Sequence, residues 1–163
     1  MSLEEFNTKT QRHEGTKSGG SLPWYKDGLP FKCTQCGKCC TGAPGFVWVN
    51  DVEIAEMAEF LNIPIPTFKR LYLRQRDNRY LLIEKKSQNH DCVFFKDNKC
   101  TVYEARPTQC RTYPFWQENL ISENSWKSTA EYCEGINDQS PLNPYSEIQK
   151  MLPVDSNEHF VTE

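Results

Sequence analysis

Cys33-Thr34-Gln35-Cys36-Gly37-Lys38-Cys39-Cys40 places four thiols within eight residues, in a CxxCxxCC run. Four more cysteines follow at Cys92, Cys100, Cys110 and Cys133. In a chain of 163 residues, eight cysteines point to metal binding or to disulfides. The opening Met1-Ser2-Leu3-Glu4-Glu5-Phe6 carries neither the basic nor the apolar segment of a secretory signal. No stretch approaches the ~18 apolar residues of a membrane span. The expected location is the cytoplasm, where ordinary thiols stay reduced, so the framework is expected to be metal-held. The pair Cys39-Cys40 argues the same way. Cα atoms about 3.8 Å apart across a trans peptide would strain a disulfide between neighbours.

Working outward from the run, the chain suits one small domain of the α+β class, metal-stabilised, with short helices, a β-hairpin and long loops. Residues 1–27 are polar and glycine-punctuated and read as a flexible arm, with Trp24 and Tyr25 able to pack on the domain edge. Residues 28–135 read as the cysteine-cluster domain, and 136–163 as a polar extension with a short helix near Tyr145 to Leu152. Phe46-Val47-Trp48-Val49 predicts a strand. Asn50 and Glu53 form a capping box before Ile54, Met57, Ala58 and Leu61, which repeat at helical spacing. A second helix is expected from Pro66 to Arg74, a turn at Asp77-Asn78, and a strand over 79–84. Cys92–Phe95 and Cys100–Tyr103 flank a polar turn and predict a hairpin that brings Cys92 and Cys100 together.

Thiolates are soft donors suited to zinc and to iron in iron–sulfur clusters. A zinc site needs four donors converging at about 2.3 Å, whereas a [4Fe–4S] cluster takes one thiolate on each iron. The CxxCxxC spacing is similar to a segment of the bacterial ferredoxin arrangement, with Cys110 or Cys133 able to supply the fourth ligand. Eight thiols could serve one centre plus spectators, two centres, or a multinuclear centre. Side chains of adjacent residues usually diverge, so Cys39 and Cys40 are expected to serve different centres. Arg106 and Arg111 flank Cys110 and are candidates to support a thiolate centre, the alternative being ion pairs with acids such as Glu104. Of His13, His90 and His159, only His90 is placed to join a metal site. Phe31, Phe94, Phe95, Tyr113, Phe115 and Trp116 are near the thiols in sequence and could exclude water.

A formal charge of −3 gives no broad basic face, so no nucleic-acid partner is expected, and no membrane. Lys69, Arg70, Arg74 and Arg76 make a local basic patch, read as a solvated face with an anionic partner site as the alternative. There is no HExxH, no glycine-rich phosphate loop, no GxSxG and no identifiable carboxylate pair, so no catalytic residue is named.

Three stretches together carry a resemblance: Phe31–Cys40, Cys92-Val93-Phe94-Phe95 with Cys100–Pro107, and Cys110-Arg111-Thr112-Tyr113-Pro114-Phe115. They resemble the YkgJ-like cysteine-cluster family, the CxxCxxCC zinc- or iron-chelating domain, over about residues 30–135. The resemblance implies metal binding through Cys33, Cys36, Cys39, Cys40, Cys92, Cys100 and Cys110, with Cys133 as the last of the set. The expectation is a cysteine-ligated protein holding an iron–sulfur cluster with a redox or related role. The alternatives are a structural zinc module that mediates interactions and a metal storage or delivery protein. The protein partner is left open.

Overall fold

The computed structural model describes residues 22–152. The expected flexible arm up to residue 21 and the tail from residue 153, with His13 and His159, lie outside the described residues. The class is α+β: short helices alternate with small antiparallel sheets.

Strand β1 (Leu29–Pro30) leads to the cysteine run, and β2 (Trp48–Val49) leaves it. Helix α1 (Asp51–Phe60) starts where the capping box requires. Asn50 Oδ1 accepts from Glu53 N–H at 2.9 Å, and Glu53 Oε2 accepts from Asn50 N–H at 3.0 Å. Ile54, Met57 and Ala58 are its buried face. Helix α2 (Ile65–Tyr72) has Pro66 in its first turn.

The helix expected through Arg74 stops at Tyr72, because β3 (Leu73–Arg76) pairs antiparallel with β4 (Arg79–Leu82). Asp77 and Asn78, both at positive φ, form the two-residue type I′ turn between them. β4 also pairs with β2, giving the sheet order β2-β4-β3.

The strand expected to run on to residue 84 breaks after Leu82. Glu84–Lys85 forms a new strand, β5, which pairs with β6 (Asp91–Cys92). The expected hairpin is present but shorter. β7 (Phe95–Lys96) and β8 (Lys99–Cys100) flank a second type I′ turn at Asp97-Asn98. Cys100 therefore sits opposite Phe95, while Cys92 belongs to the neighbouring hairpin, opposite Glu84. Helices α3 (Thr108–Thr112), α4 (Gln117–Leu120) and α5 (Glu123–Tyr132) follow, then β9 (Leu142–Asn143) and α6 (Tyr145–Met151).

The apolar residues form two clusters. Val49, Ile54, Met57, Phe68, Leu73, Leu82, Phe94 and Val102 build the first around α1, α2 and the sheet. Tyr25, Leu29, Phe115, Leu120, Trp126, Cys133, Ile136 and Ile148 build the second. Tyr25, from the segment read as arm, and Ile148, from the segment read as extension, are both buried in it. β9 pairs with β1, and Asn143 Nδ2 donates to Phe31 O at 2.9 Å, so this late segment is stitched beside the start of the cysteine run.

Ile148 is fully buried, whereas Ile121 is 74% exposed. In urea unfolding, Ile148→Ala is expected to lower stability by about 2–5 kcal/mol. Ile121→Ala is expected to stay within about 0.5 kcal/mol.

Candidate metal centre

Five separate stretches of chain bring the thiols together. In the first, Gly37 takes a left-handed conformation (φ 74°) and turns the chain into the one-turn 3-10 helix Lys38–Cys40. Only glycine suits this position, because a Cβ there would strike the Phe95 ring and come within 2.8 Å of Asn98 O. The β7–β8 hairpin thus rests directly on the knuckle. This local turn also overrides the expected divergence of Cys39 and Cys40, whose sulfurs lie 4.0 Å apart.

Cys92 and Cys100 come from β6 and β8. The β5–β6 loop is tied to the knuckle's exit through Gly42 N–H to Asn89 O at 2.9 Å and through Thr41 Oγ1 to Asp91 Oδ1. Cys110 lies on α3, which is anchored by two buried polar side chains. Glu53 Oε1 accepts from Thr108 N–H at 2.8 Å. The Gln109 amide accepts from Trp48 N–H at 3.0 Å and donates to Phe46 O at 2.8 Å.

Cys133 caps the C-terminus of α5 and is buried. Next to it, Glu134 accepts from Thr34 Oγ1 at 2.9 Å and from Lys38 Nζ at 3.2 Å, and Lys32 N–H reaches Gly135 O at 3.0 Å. These contacts clasp the last cysteine to the first group.

All eight cysteines are free thiols and line one cavity of about 80 Å³. Its walls come from both apolar clusters, through Leu82, Phe94 and Val102 on one side and Phe31, Tyr113 and Cys133 on the other. Tyr103 and Tyr132 complete the aromatic wall. Of the aromatics expected near the thiols, Phe95, Phe115 and Trp116 do not line the cavity; Phe115 is core and Trp116 Nε1 donates to Gln109 O at 2.9 Å. Among the described residues, no three Cys, His, Asp or Glu side chains converge tightly enough to enclose a single ion.

Arg106 lines the cavity. Its guanidinium stacks 3.6 Å from the Tyr103 ring centroid, donates to Tyr103 O at 2.6 Å, and favours the thiolates of Cys39, Cys100 and Cys110. Arg111 is exposed and outside the cavity; it donates to Arg106 O at 2.7 Å and Thr108 Oγ1 at 2.9 Å, bracing the turn before Cys110. His90 is also outside the cavity wall, with Nδ1 3.6 Å from Glu84 Oε2.

The thiols are not electrostatically alike. A hydrogen bond from Cys40 pulls Cys39 down to about 7 and Cys100 down to about 6. Cys40, shared between those two, is pushed far up and stays protonated. Burial raises Cys92 to about 11 and pushes Cys110 and Cys133 up as well. Tyr113 is raised by burial and by the facing thiolates. Tyr103 is raised chiefly by its hydrogen bond with Cys33.

The family model described as "CxxCxxCC: Putative zinc- or iron-chelating domain" matches residues 32–134. A curated relative, Uncharacterized protein MJ0661 of Methanocaldococcus jannaschii, is 34% identical over 93 residues, which are 56% of this chain and 48% of the relative. The chain therefore covers about half the length of that relative. No solved structure matches it.

In metal-free, reduced protein at neutral pH, iodoacetamide is expected to modify Cys39 and Cys100 first. Their rates should fall as the pH drops through about 7 and about 6, since only the thiolate reacts. Cys92 should react only as the pH rises toward about 11. Mass-spectrometric mapping of the alkylated peptides reads the order.

Proposed function

This chain belongs to the CxxCxxCC zinc- or iron-chelating family, and on that footing we propose that its cysteines hold a [4Fe–4S] cluster for electron transfer or related redox chemistry. The observation that carries the reading is the donor set: eight thiols, twice what one zinc ion takes, on the wall of one cavity. A cluster spreads its thiolate ligands over several irons, whereas one zinc ion needs all four at about 2.3 Å from a single centre.

Cys39, Cys92, Cys100 and Cys110 are the ligands we assign first, because Cys92 and Cys110 both feel the charge of Cys39 and Cys100, and each comes from a different stretch of chain. Cys40 stands between Cys39 and Cys100 and can exchange with either. Cys33, Cys36 and Cys133 form the remaining group, with Cys133 sensing Cys36 and Cys39. Arg106 offsets negative charge on the thiolates, and the Phe31, Phe94 and Tyr113 walls restrict water. When bound, such a cluster supplies a redox couple tuned by charge, hydrogen bonds to sulfur and exposure.

A single structural zinc is the second reading. It is favoured by the 4.0 Å between the Cys39 and Cys40 sulfurs, near the roughly 3.8 Å sulfur–sulfur edge of a tetrahedral site with ~2.3 Å bonds.

Elemental analysis with acid-labile sulfide, on protein purified without oxygen, decides between them. About four iron and four sulfide per cluster are expected. Cys110→Ser is expected to lose most of both, and stoichiometric zinc without sulfide would sink the cluster.

A further inference from the structure

Of the residues that line the cysteine cavity, the exposed ones are Cys33, Thr34, Gln35, Lys38, Cys39 and Tyr132. Leu82, Phe94, Val102 and Cys133 line it as well and are buried. The mouth of the cavity therefore lies between the cysteine run and the end of α5. Tyr132, 70% exposed, marks its α5 side.

Two sets of contacts bridge this mouth. One is made by side chains: Glu134 Oε1 accepts from Thr34 Oγ1 at 2.9 Å, and Glu134 Oε2 accepts from Lys38 Nζ at 3.2 Å. Both carboxylate oxygens are thus committed to the cysteine run, to residues on either side of Cys36. The other is made by backbone: Lys32 N–H donates to Gly135 O at 3.0 Å. A side chain at position 135 would block that approach, since a Cβ there would stand 2.4 Å from Lys32 O and 3.0 Å from the Phe31 ring. The two sets differ in shielding. Gly135 is buried, whereas the Lys38 and Glu134 side chains are 55% and 49% exposed, so water and salt compete for the ion pair. Thr34, Lys38 and Glu134 belong to neither apolar cluster. Their grip is the part of the clasp that can open without disturbing either core.

We propose that Glu134 is a positioning residue that controls metal exchange: its grip on Thr34 and Lys38 closes the cavity mouth, and release of that grip lets a metal ion in or out. The inference rests on metal binding by the cysteines and not on the choice between a cluster and zinc. Cys33 and Cys39 are the exposed thiols of the same loop, so loosening the loop changes access to both. Cys133, directly before Glu134, stays in the second apolar cluster while the grip opens. Because the ion pair is exposed, ionic strength sets how often it opens. The range of charge attraction falls from about 10 Å at 0.1 M salt to about 3 Å at 1 M.

The test is the rate of metal transfer to an excess of a colorimetric chelator. The donor is the full chain loaded with zinc or, if it refuses zinc, with iron and sulfide. Metal content at saturation and the melting temperature of the loaded protein are measured alongside. Glu134→Ala is expected to release metal roughly 2–5-fold faster than wild type, the scale set by an exposed ion pair, with metal content and melting temperature unchanged. Raising salt from about 0.05 M to about 0.5 M should speed release from wild type and speed Glu134→Ala less. Glu131→Gln removes a nearby charge from an exposed residue with no ion pair among the described residues, and it should release metal at the wild-type rate. Equal rates in wild type and Glu134→Ala, or an equal gain in Glu131→Gln, overturn the proposal. So does a Glu134→Ala protein that loses metal content and melting temperature together, as a brace with no part in exchange would. A chain that takes up neither zinc nor iron overturns the metal reading itself, and this inference with it.

Discussion

A buried carboxylate holds the metal centre's scaffold together. Glu53 is 7% exposed, and its two oxygens serve two different elements. One accepts from Asn50 and closes the start of α1; the other accepts from Thr108 and sets the start of α3. Burying a carboxylate is costly unless its charge is answered. Here two backbone N–H groups and the positive end of α1 answer it, with hydrogen bonds of a kind worth about 1.5–3 kcal/mol each. Cys110 is two residues beyond Thr108. Its position relative to the first apolar cluster is therefore tied to α1 through a contact that does not involve sulfur.

The same logic recurs at the other thiols. Gln109 completes the polar edge of β2, Gly37 lets the Phe95 ring sit on the knuckle, and Glu134 grips Thr34 and Lys38. Each cysteine-bearing stretch is placed by a contact that does not involve sulfur. The cavity lies where the two apolar clusters meet, so neither cluster alone would form it. A bound metal or cluster would tie those halves together, and its binding energy would count as folding energy for both.

What was legible in the sequence was whatever local chemistry decides. The Asn50–Glu53 capping box, the turn at Asp77-Asn78, the proline start of α2 and the hairpin before Cys100 all follow from short-range rules. The misjudged boundaries are those set by pairing at a distance. Leu73 left its helix because Leu82 offered a strand partner, and Cys92 paired with Glu84 because the 86–90 loop folds back on Thr41 and Gly42. The eight cysteines pointed to metal binding and left the number of centres open, while Glu53 read only as a helix cap and Gln109 carried no signal. A polar residue that is buried to hold a distant backbone looks, in sequence, like any surface polar residue. Two tyrosines of the cavity wall, Tyr103 and Tyr132, were missed although they stand three residues after Cys100 and directly before Cys133.

The adjacent cysteines gain a definite role from this geometry. Two neighbouring side chains on an extended strand would face apart, but the 3-10 turn after Gly37 swings both sulfurs to one side. Cys40 is then flanked by Cys39 and Cys100, and three thiols side by side cannot all ionise. The middle one keeps its proton and can donate it to either neighbouring thiolate, one at a time. Arg106, held flat on Tyr103, adds positive charge on the same side. Before any metal arrives, the site already separates thiols ready to ligate from one that must first lose a proton. On the ligand assignment proposed above, metal entry at neutral pH would begin at Cys39 and Cys100, and recruiting Cys92 and Cys110 would release protons.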